Sequence, residues 1–279
     1  FSSRRRHTRY GTVTGVQTCA LPICGSGDAA DTFAGFIQRC PEGLEPISRD
    51  EFLLSCCVNR RSAPGPDGIS YAAWSVCGEF AHDILYDCYL EILRVGVAPS
   101  WFNFARMVFI PKTDSEGEGA SDSTSAKPGD LRPLTLSNCD QKLVCIAVCS
   151  TLRIMCDSVV HGAQGGFRKG LLLTDNVLIL NAHSERHLIM NSPCPAQILM
   201  DIRAAFPSVL WTWLWFVLDR MFCPGWLVRA VSALYVGSSV CLSLGFAESG
   251  GFCITSGIKQ GCPMSGDIWC IIFDPIVRS

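Results

Sequence analysis

Charged residues are scarce in this chain, and neither sign dominates. Of 279 residues, 17 % are Asp, Glu, Lys or Arg, with 23 basic against 25 acidic side chains and a formal net charge of −2. The composition therefore lacks the basic excess that usually marks a nucleic-acid-binding protein. Long hydrophobic runs are missing too. The most apolar stretch, residues 209–218, stops at Asp219 and Arg220. It falls short of the roughly 20 apolar residues that a bilayer requires, so no membrane span is expected. The 17 cysteines include no Cys-x-x-Cys pair, and many of them sit inside apolar runs, as do Cys145, Cys149, Cys241 and Cys270. They read as free thiols of a reducing compartment, serving as small core hydrophobes, and not as an extracellular disulfide framework. Internal repeats are absent. What is present, 48 % hydrophobic residues, suits one large folded domain or two modest ones.

The first two dozen residues stand apart. Residues 1–24 read FSSRRRHTRYGTVTGVQTCALPIC, and the run 13–23, VTGVQTCALPI, resembles the translation of a sequencing-library adapter. Such a segment is set aside before the fold is considered, and it is expected to pack against nothing. Without Arg4, Arg5, Arg6 and Arg9, the basic count falls from 23 to 19 against 25 acidic residues, a net charge of −6. Any grip on nucleic acid must then come from a few well-placed cations.

Along the rest of the chain, Ser48 followed by Glu51 and an apolar run is a capping-box start for a helix. Residues 62–69, SAPGPDGI, are turn formers. Residues 71–95 suggest a pair of helices ended by Gly96 and Pro99. Residues 105–111, ARMVFIP, read as a strand with Lys112 at its end, and 114–130 as an acidic, low-complexity loop. Order resumes over 131–136 and in a helix over 140–155. Residues 164–167 form a tight backbone feature, and 171–187 another helix. A short strand over 195–202 carries Asp201 near its end. Helices over 208–222 and 224–236 follow, then a hairpin of 239–246 and 252–258 turning at 248–251. Pro263 opens a last apolar helix.

A carboxylate at the end of an apolar strand is costly to bury alone. Taken by itself, Asp201 suits a helix cap. Its context, Asp201-Ile202-Arg203-Ala204-Ala205-Phe206, resembles the first catalytic motif of reverse transcriptases. Residues 257–265, GIKQGCPMS, resemble the Gln-Gly-x-Pro motif of the same family. Three upstream blocks agree: the APGPDGI turn at 63–69; Ile110-Pro111-Lys112 with Leu131-Arg132-Pro133-Leu134-Thr135-Leu136 and Lys142; and Gln164 to Phe167 with Asp175. The ordered set resembles the reverse transcriptase of non-LTR, LINE-type retrotransposons, from about Ser62 to the C-terminus.

That resemblance implies an α/β fold (α+β), a partial right-hand polymerase with fingers and an incomplete antiparallel palm sheet. It divides the chain into an adapter-derived segment 1–24, a helical lead-in 25–61, fingers 62–190 and a partial palm 191–279. It implies an RNA-directed DNA polymerase using Mg²⁺, deoxynucleoside triphosphates, an RNA template and a DNA primer. Asp201, with the Ile202 carbonyl, would hold divalent metal. Lys112 and Arg132 would neutralise triphosphate oxygens. Phe206 would pack under the sugar and exclude a ribose 2′-hydroxyl, and Gln260 and Gly261 would line the nucleotide pocket. A retrotransposon protein is expected in the cytoplasm or nucleus. The family's aromatic-x-Asp-Asp hairpin is missing, since no Asp-Asp pair occurs anywhere. The chain is therefore expected to be a fragment, inactive alone, that stops before its catalytic core is complete. The rivals are a group II intron-type reverse transcriptase and a degenerate, non-catalytic remnant. His183 and His187, spaced i, i+4, read as surface histidines, and the Trp211, Trp213, Trp215 alternation as packing surface.

Overall fold

The computed structural model describes residues 27–58, 60–111, 131–190, 201–202, 204–244 and 247–279. Residues 1–24, Lys112, the loop 114–130 and most of the strand expected over 195–202 lie outside that set, as does the side chain of His187. The elements are helices α1 (Gly27–Ala34), α2 (Arg49–Cys57), α3 (Tyr71–Val76) and α4 (Glu79–Val95), strands β1 (Phe104–Pro111) and β2 (Leu131–Ser137), and helices α5 (Cys139–Val159), α6 (Leu173–Ile189), α7 (Trp211–Arg220) and α8 (Gly225–Tyr235). Strands β3 (Ser239–Leu244) and β4 (Ala247–Cys253) and helix α9 (Ser265–Arg278) complete the described chain. Among the described residues, no helix is long and apolar enough to cross a membrane.

The chain divides into two compact units. One holds the described residues of 1–42, 153–222 and 266–279; the other holds 43–152 and 223–265. The division falls within α5 and after the first residue of α9.

The second unit carries the sheet, in the order β2-β1-β3-β4. β1 runs antiparallel to β2, from Ala105 opposite Ser137 to Pro111 opposite Leu131. β3 is antiparallel to β4. The mixture of helices and one sheet meets the α/β expectation, but the sheet is not wholly antiparallel. β1 and β3 pair in parallel, from Phe104 opposite Ser239 to Val108 opposite Ser243. Strands so far apart in sequence are joined by a crossover through helices, not by a hairpin. The β3–β4 turn also differs from expectation. Gly250 and Gly251, read as turn residues, lie in β4, where the two of them face the single residue Cys241 between Val240 and Leu242 and so form a bulge. Glycine marks both turns and bulges, and the sequence signal does not separate the two.

The same unit holds helices α2, α3, α4 and α8. The start of α2 is the expected capping box, with the Ser48 hydroxyl accepting from the Glu51 N–H and the Ser48 N–H donating to the Glu51 carboxylate at 2.9 Å. That bond holds the Glu51 carboxyl below its usual range. Phe52 of α2 stacks on Tyr89 of α4, ring centroids 5.4 Å apart. Burying side chains of this size contributes roughly 1.5–3 kcal/mol each. Arg49 ties the same two helices from outside, donating from Nε and Nη2 to the two Asp83 carboxylate oxygens at 2.7 and 2.8 Å. Asn103 anchors the start of β1, donating to the Ala233 and Val236 carbonyls at the end of α8, and Gln141 donates to the Asn103 side-chain oxygen.

The first unit is helical. The apolar stripe Val209, Trp213, Leu214, Val217, Leu218 and Met221 is buried, the spacing of one face of a helix. The Trp213 indole N–H donates to the Ile272 carbonyl at 2.9 Å. Trp213 is thus core, as its spacing implied, while Trp211 and Trp215 are half-buried. Asp274, buried in α9, is fully engaged. It accepts from the His161 N–H at 2.7 Å and from Arg278 Nε at 2.6 Å.

Candidate functional site

In the second unit, three of the sequence blocks meet around β2. The turn at 63–69 reaches the end of that strand. Gly65 is buried, and a Cβ there would collide with the Asn138 side chain and the Ser137–Asn138 backbone. The Asp67 N–H donates to Asn138 Oδ1 at 3.3 Å. Lys142, one turn into α5, sends Nζ back to the Ala63 carbonyl at 2.7 Å and lies 6.0 Å from the centre of the Tyr71 ring. It is buried, which lowers its ammonium pKa. Lys142 is therefore a clamp for the 63–69 turn. The sequence shows the cation but not where its tip points.

The 257–265 loop closes on the middle of β2. The Thr135 N–H donates to the Gln260 carbonyl at 2.7 Å. Gly261 follows with φ +105, and a Cβ on it would lie 2.6 Å from the Thr135 carbonyl oxygen and 3.1 Å from a Leu134 methyl. By its motif, this glycine is expected to line the nucleotide pocket. In the structure, the space its missing side chain leaves is filled by strand backbone. Arg132, on the same strand, is exposed and sits opposite Ile110 in the register.

Lys259 is a residue that motif matching passed over. It is 5 % exposed, its Nζ donates to the Leu234 carbonyl at 2.8 Å, and it lies 5.4 Å from the centre of the Tyr235 ring. Burial lowers its pKa, while the nearby Cys262 and Cys145 push the other way. The Ser265 hydroxyl donates to the Lys259 carbonyl at 2.5 Å, pinning the loop to the start of α9. Nothing in local sequence distinguishes this lysine from a solvated one, because its partner is a carbonyl 25 residues away.

The same unit also encloses an apolar cavity of about 300 Å³, lined by Trp74, Leu85, Ile92, Trp101 and Phe102 with Asp140 at its wall. Burial raises the Asp140 carboxyl pKa. Among the described residues, Arg132, Phe206, Gln260 and Gly261 are not in its lining.

Asp201, Ile202 and Phe206 belong to the first unit. Asp201 and Ile202 are exposed and have no regular structure, so the expected strand does not extend over them. Residues 204–208 form turns, with Ala204 at φ 52. Phe206 is half-buried in an aromatic row, its ring centre 5.6 Å from Phe167 and 5.6 Å from Trp269, with Phe273 4.9 Å beyond Trp269. Phe167 closes the Gln164–Phe167 feature at φ 60. Gln164 Nε2 donates to the Cys270 carbonyl at 3.1 Å. Two blocks read separately in sequence, 164–167 and 201–206, thus share one packed cluster with α9.

Among the described residues, no group of three or more His, Cys, Asp or Glu side chains could hold a metal ion.

The family model described as reverse transcriptase (RNA-dependent DNA polymerase) matches residues 110–279, more than half of the chain, and the chain belongs to that family. Among individual proteins it is similar to the Xenopus laevis protein named transposon TX1 uncharacterized 149 kDa protein, 23 % identical over 86 % of this chain. It is also similar to the retrovirus-related Pol polyprotein from type-2 retrotransposable element R2DM of Drosophila melanogaster, 27 % identical over 82 % of this chain. A third relative is the Pol polyprotein from type-1 retrotransposable element R2 of Bradysia coprophila, 26 % identical over 91 % of this chain. The chain spans 18 %, 20 % and 28 % of those three proteins' own lengths.

Proposed function

We propose that this chain is part of an RNA-directed DNA polymerase of a non-LTR retrotransposon, which adds deoxynucleotides to a primer 3′-hydroxyl on an RNA template. The observation that carries this reading, beyond family membership, is the convergence on β2. The 63–69 turn, the strand bearing Arg132 and the Gln260–Gly261 loop are joined by the Thr135–Gln260 and Asp67–Asn138 hydrogen bonds. A strand that presents an exposed Arg beside a loop bearing an amide suits a triphosphate and its base.

In this reading, residues 62–190 are the fingers and 191–279 part of the palm. Lys112 and Arg132 neutralise the phosphates, Gln260 and Gly261 line the nucleotide pocket, and Phe206 lies under the sugar. Asp201 and the Ile202 carbonyl bind Mg²⁺ together with ligands from elsewhere. When bound, the metal supplies charge stabilisation for phosphoryl transfer.

The test is primer extension on an RNA template by the full-length protein that carries this domain. Asp201→Asn should lower Mg²⁺-dependent extension by roughly a hundredfold or more. Extension at the parent rate would overturn the assignment.

A further inference from the structure

Cys145 and Cys262 both carry free thiols, and the pair is placed to be more than core filling. Cys145, on α5, is fully buried. Cys262 follows Gly261 in the loop and is half-buried. Their sulfur atoms lie 3.8 Å apart, although 117 residues separate them in sequence. We propose that Cys145 and Cys262 are an oxidation site of this protein, a dithiol that closes to a reversible disulfide by exchange with small-molecule disulfides.

A disulfide needs its sulfurs about 2 Å apart, so the two must approach by a little under 2 Å, a distance within reach of side-chain rotation. The surroundings favour one order of attack. Of the two residues, Cys262 is the one that is not fully buried. The contact between the two sulfurs lowers the Cys262 pKa against the opposing effect of burial, and the charge of Lys259 and the Met264 N–H act in the same lowering direction. Cys145 is shifted upward by the same contact and by burial. Thiol–disulfide exchange proceeds through the thiolate.

The Cys262 thiolate attacks one sulfur of a disulfide such as oxidised glutathione. A Cys262–glutathione bond forms, and one glutathione thiolate leaves and takes up a proton. The Cys145 thiol then gives up its proton and attacks the Cys262 sulfur. The second glutathione departs and is protonated. Two protein thiols are oxidised and one disulfide is reduced to two thiols. The new bond would tie the Gln260–Gly261 loop to α5. Any effect on nucleotide handling rests on the proposed function, whereas the sulfur chemistry does not.

The experiment treats the reduced 279-residue chain with oxidised glutathione at neutral pH and maps every cysteine by mass spectrometry of non-reduced peptides. The expected result is joint loss of the Cys145 and Cys262 thiols and their recovery as one linked peptide pair, two hydrogens lighter than the separate peptides. Dithiothreitol should restore both thiols. The exposed Cys57, Cys77, Cys88 and Cys253 serve as internal controls. In Cys145→Ala, Cys262 should instead accumulate as the glutathione adduct, since its resolving thiol is gone. If that variant does not fold, the map of the parent chain decides alone. The proposal is overturned if Cys262 stays free, or stays a glutathione adduct in the parent chain, while the exposed cysteines react.

Discussion

At the scale of single residues, the motif positions of this chain are also packing positions. Phe206 is placed by the proposed function under a deoxyribose, and it also packs in a row with Phe167 and Trp269. Phe206→Ala in the full-length polymerase should raise ribonucleotide incorporation relative to deoxynucleotide incorporation by roughly 1–3 kcal/mol of lost discrimination. A variant that polymerises normally and is no less selective would leave Phe206 as core alone. Gly261 is constrained by its own protein. With φ +105 and the Thr135 oxygen 2.6 Å from any Cβ, Gly261→Ala should destabilise the fold by roughly 1–3 kcal/mol, read as a lower denaturation midpoint. An unchanged midpoint would show that the strand does not press on this glycine.

At the scale of elements, local rules and long-range contacts divide the work. The α2 capping box is written within four residues and forms as written. The Arg49–Asp83 bridge between α2 and α4 spans 34 residues and has no local signature. Its hydrogen bonds hold the Asp83 carboxyl below the usual Asp range. A carboxyl with a depressed folded-state pKa contributes stability above its unfolded pKa of about 4, and loses it as pH falls through the lower folded value. The midpoint difference between the parent chain and Asp83→Asn should therefore be present at neutral pH and vanish in strong acid. It should also shrink in high salt, because both groups are solvent-exposed. A difference that persists unchanged into strong acid would assign the effect to packing.

At the scale of the whole molecule, charge is the limiting quantity. With residues 1–24 removed the chain carries a net charge of −6, and two of its lysines, Lys142 and Lys259, are buried against backbone carbonyls. Few cations remain to displace counterions. Binding of a primer–template by residues 25–279 should show a shallow salt dependence, with a slope of log K against log salt no steeper than about −3. A slope near that of strongly basic DNA-binding proteins would mean that local patches outweigh the acidic total.

Much was legible from residues alone. Period, caps and punctuation located α2 to α9 to within a few residues, whereas α1 (Gly27–Ala34) begins in small residues that read as a junction. The order of the APGPDGI, Lys-Arg, Gln-x-Gly-Phe, Asp-x-x-x-x-Phe and Gln-Gly-x-Pro blocks pointed to the reverse transcriptase family, because each block is a contiguous string with its own local chemistry. The tertiary structure decided what strings cannot encode one at a time. It paired β1 with β3 in parallel across more than a hundred residues, turned Lys142 and Lys259 inward onto carbonyls, filled the space beside Gly261 with strand backbone, and set Cys145 against Cys262. A side chain's type is local, whereas its partner depends on how distant segments are brought together. Burial, hydrogen-bond satisfaction and thiol acidity all follow from the partner.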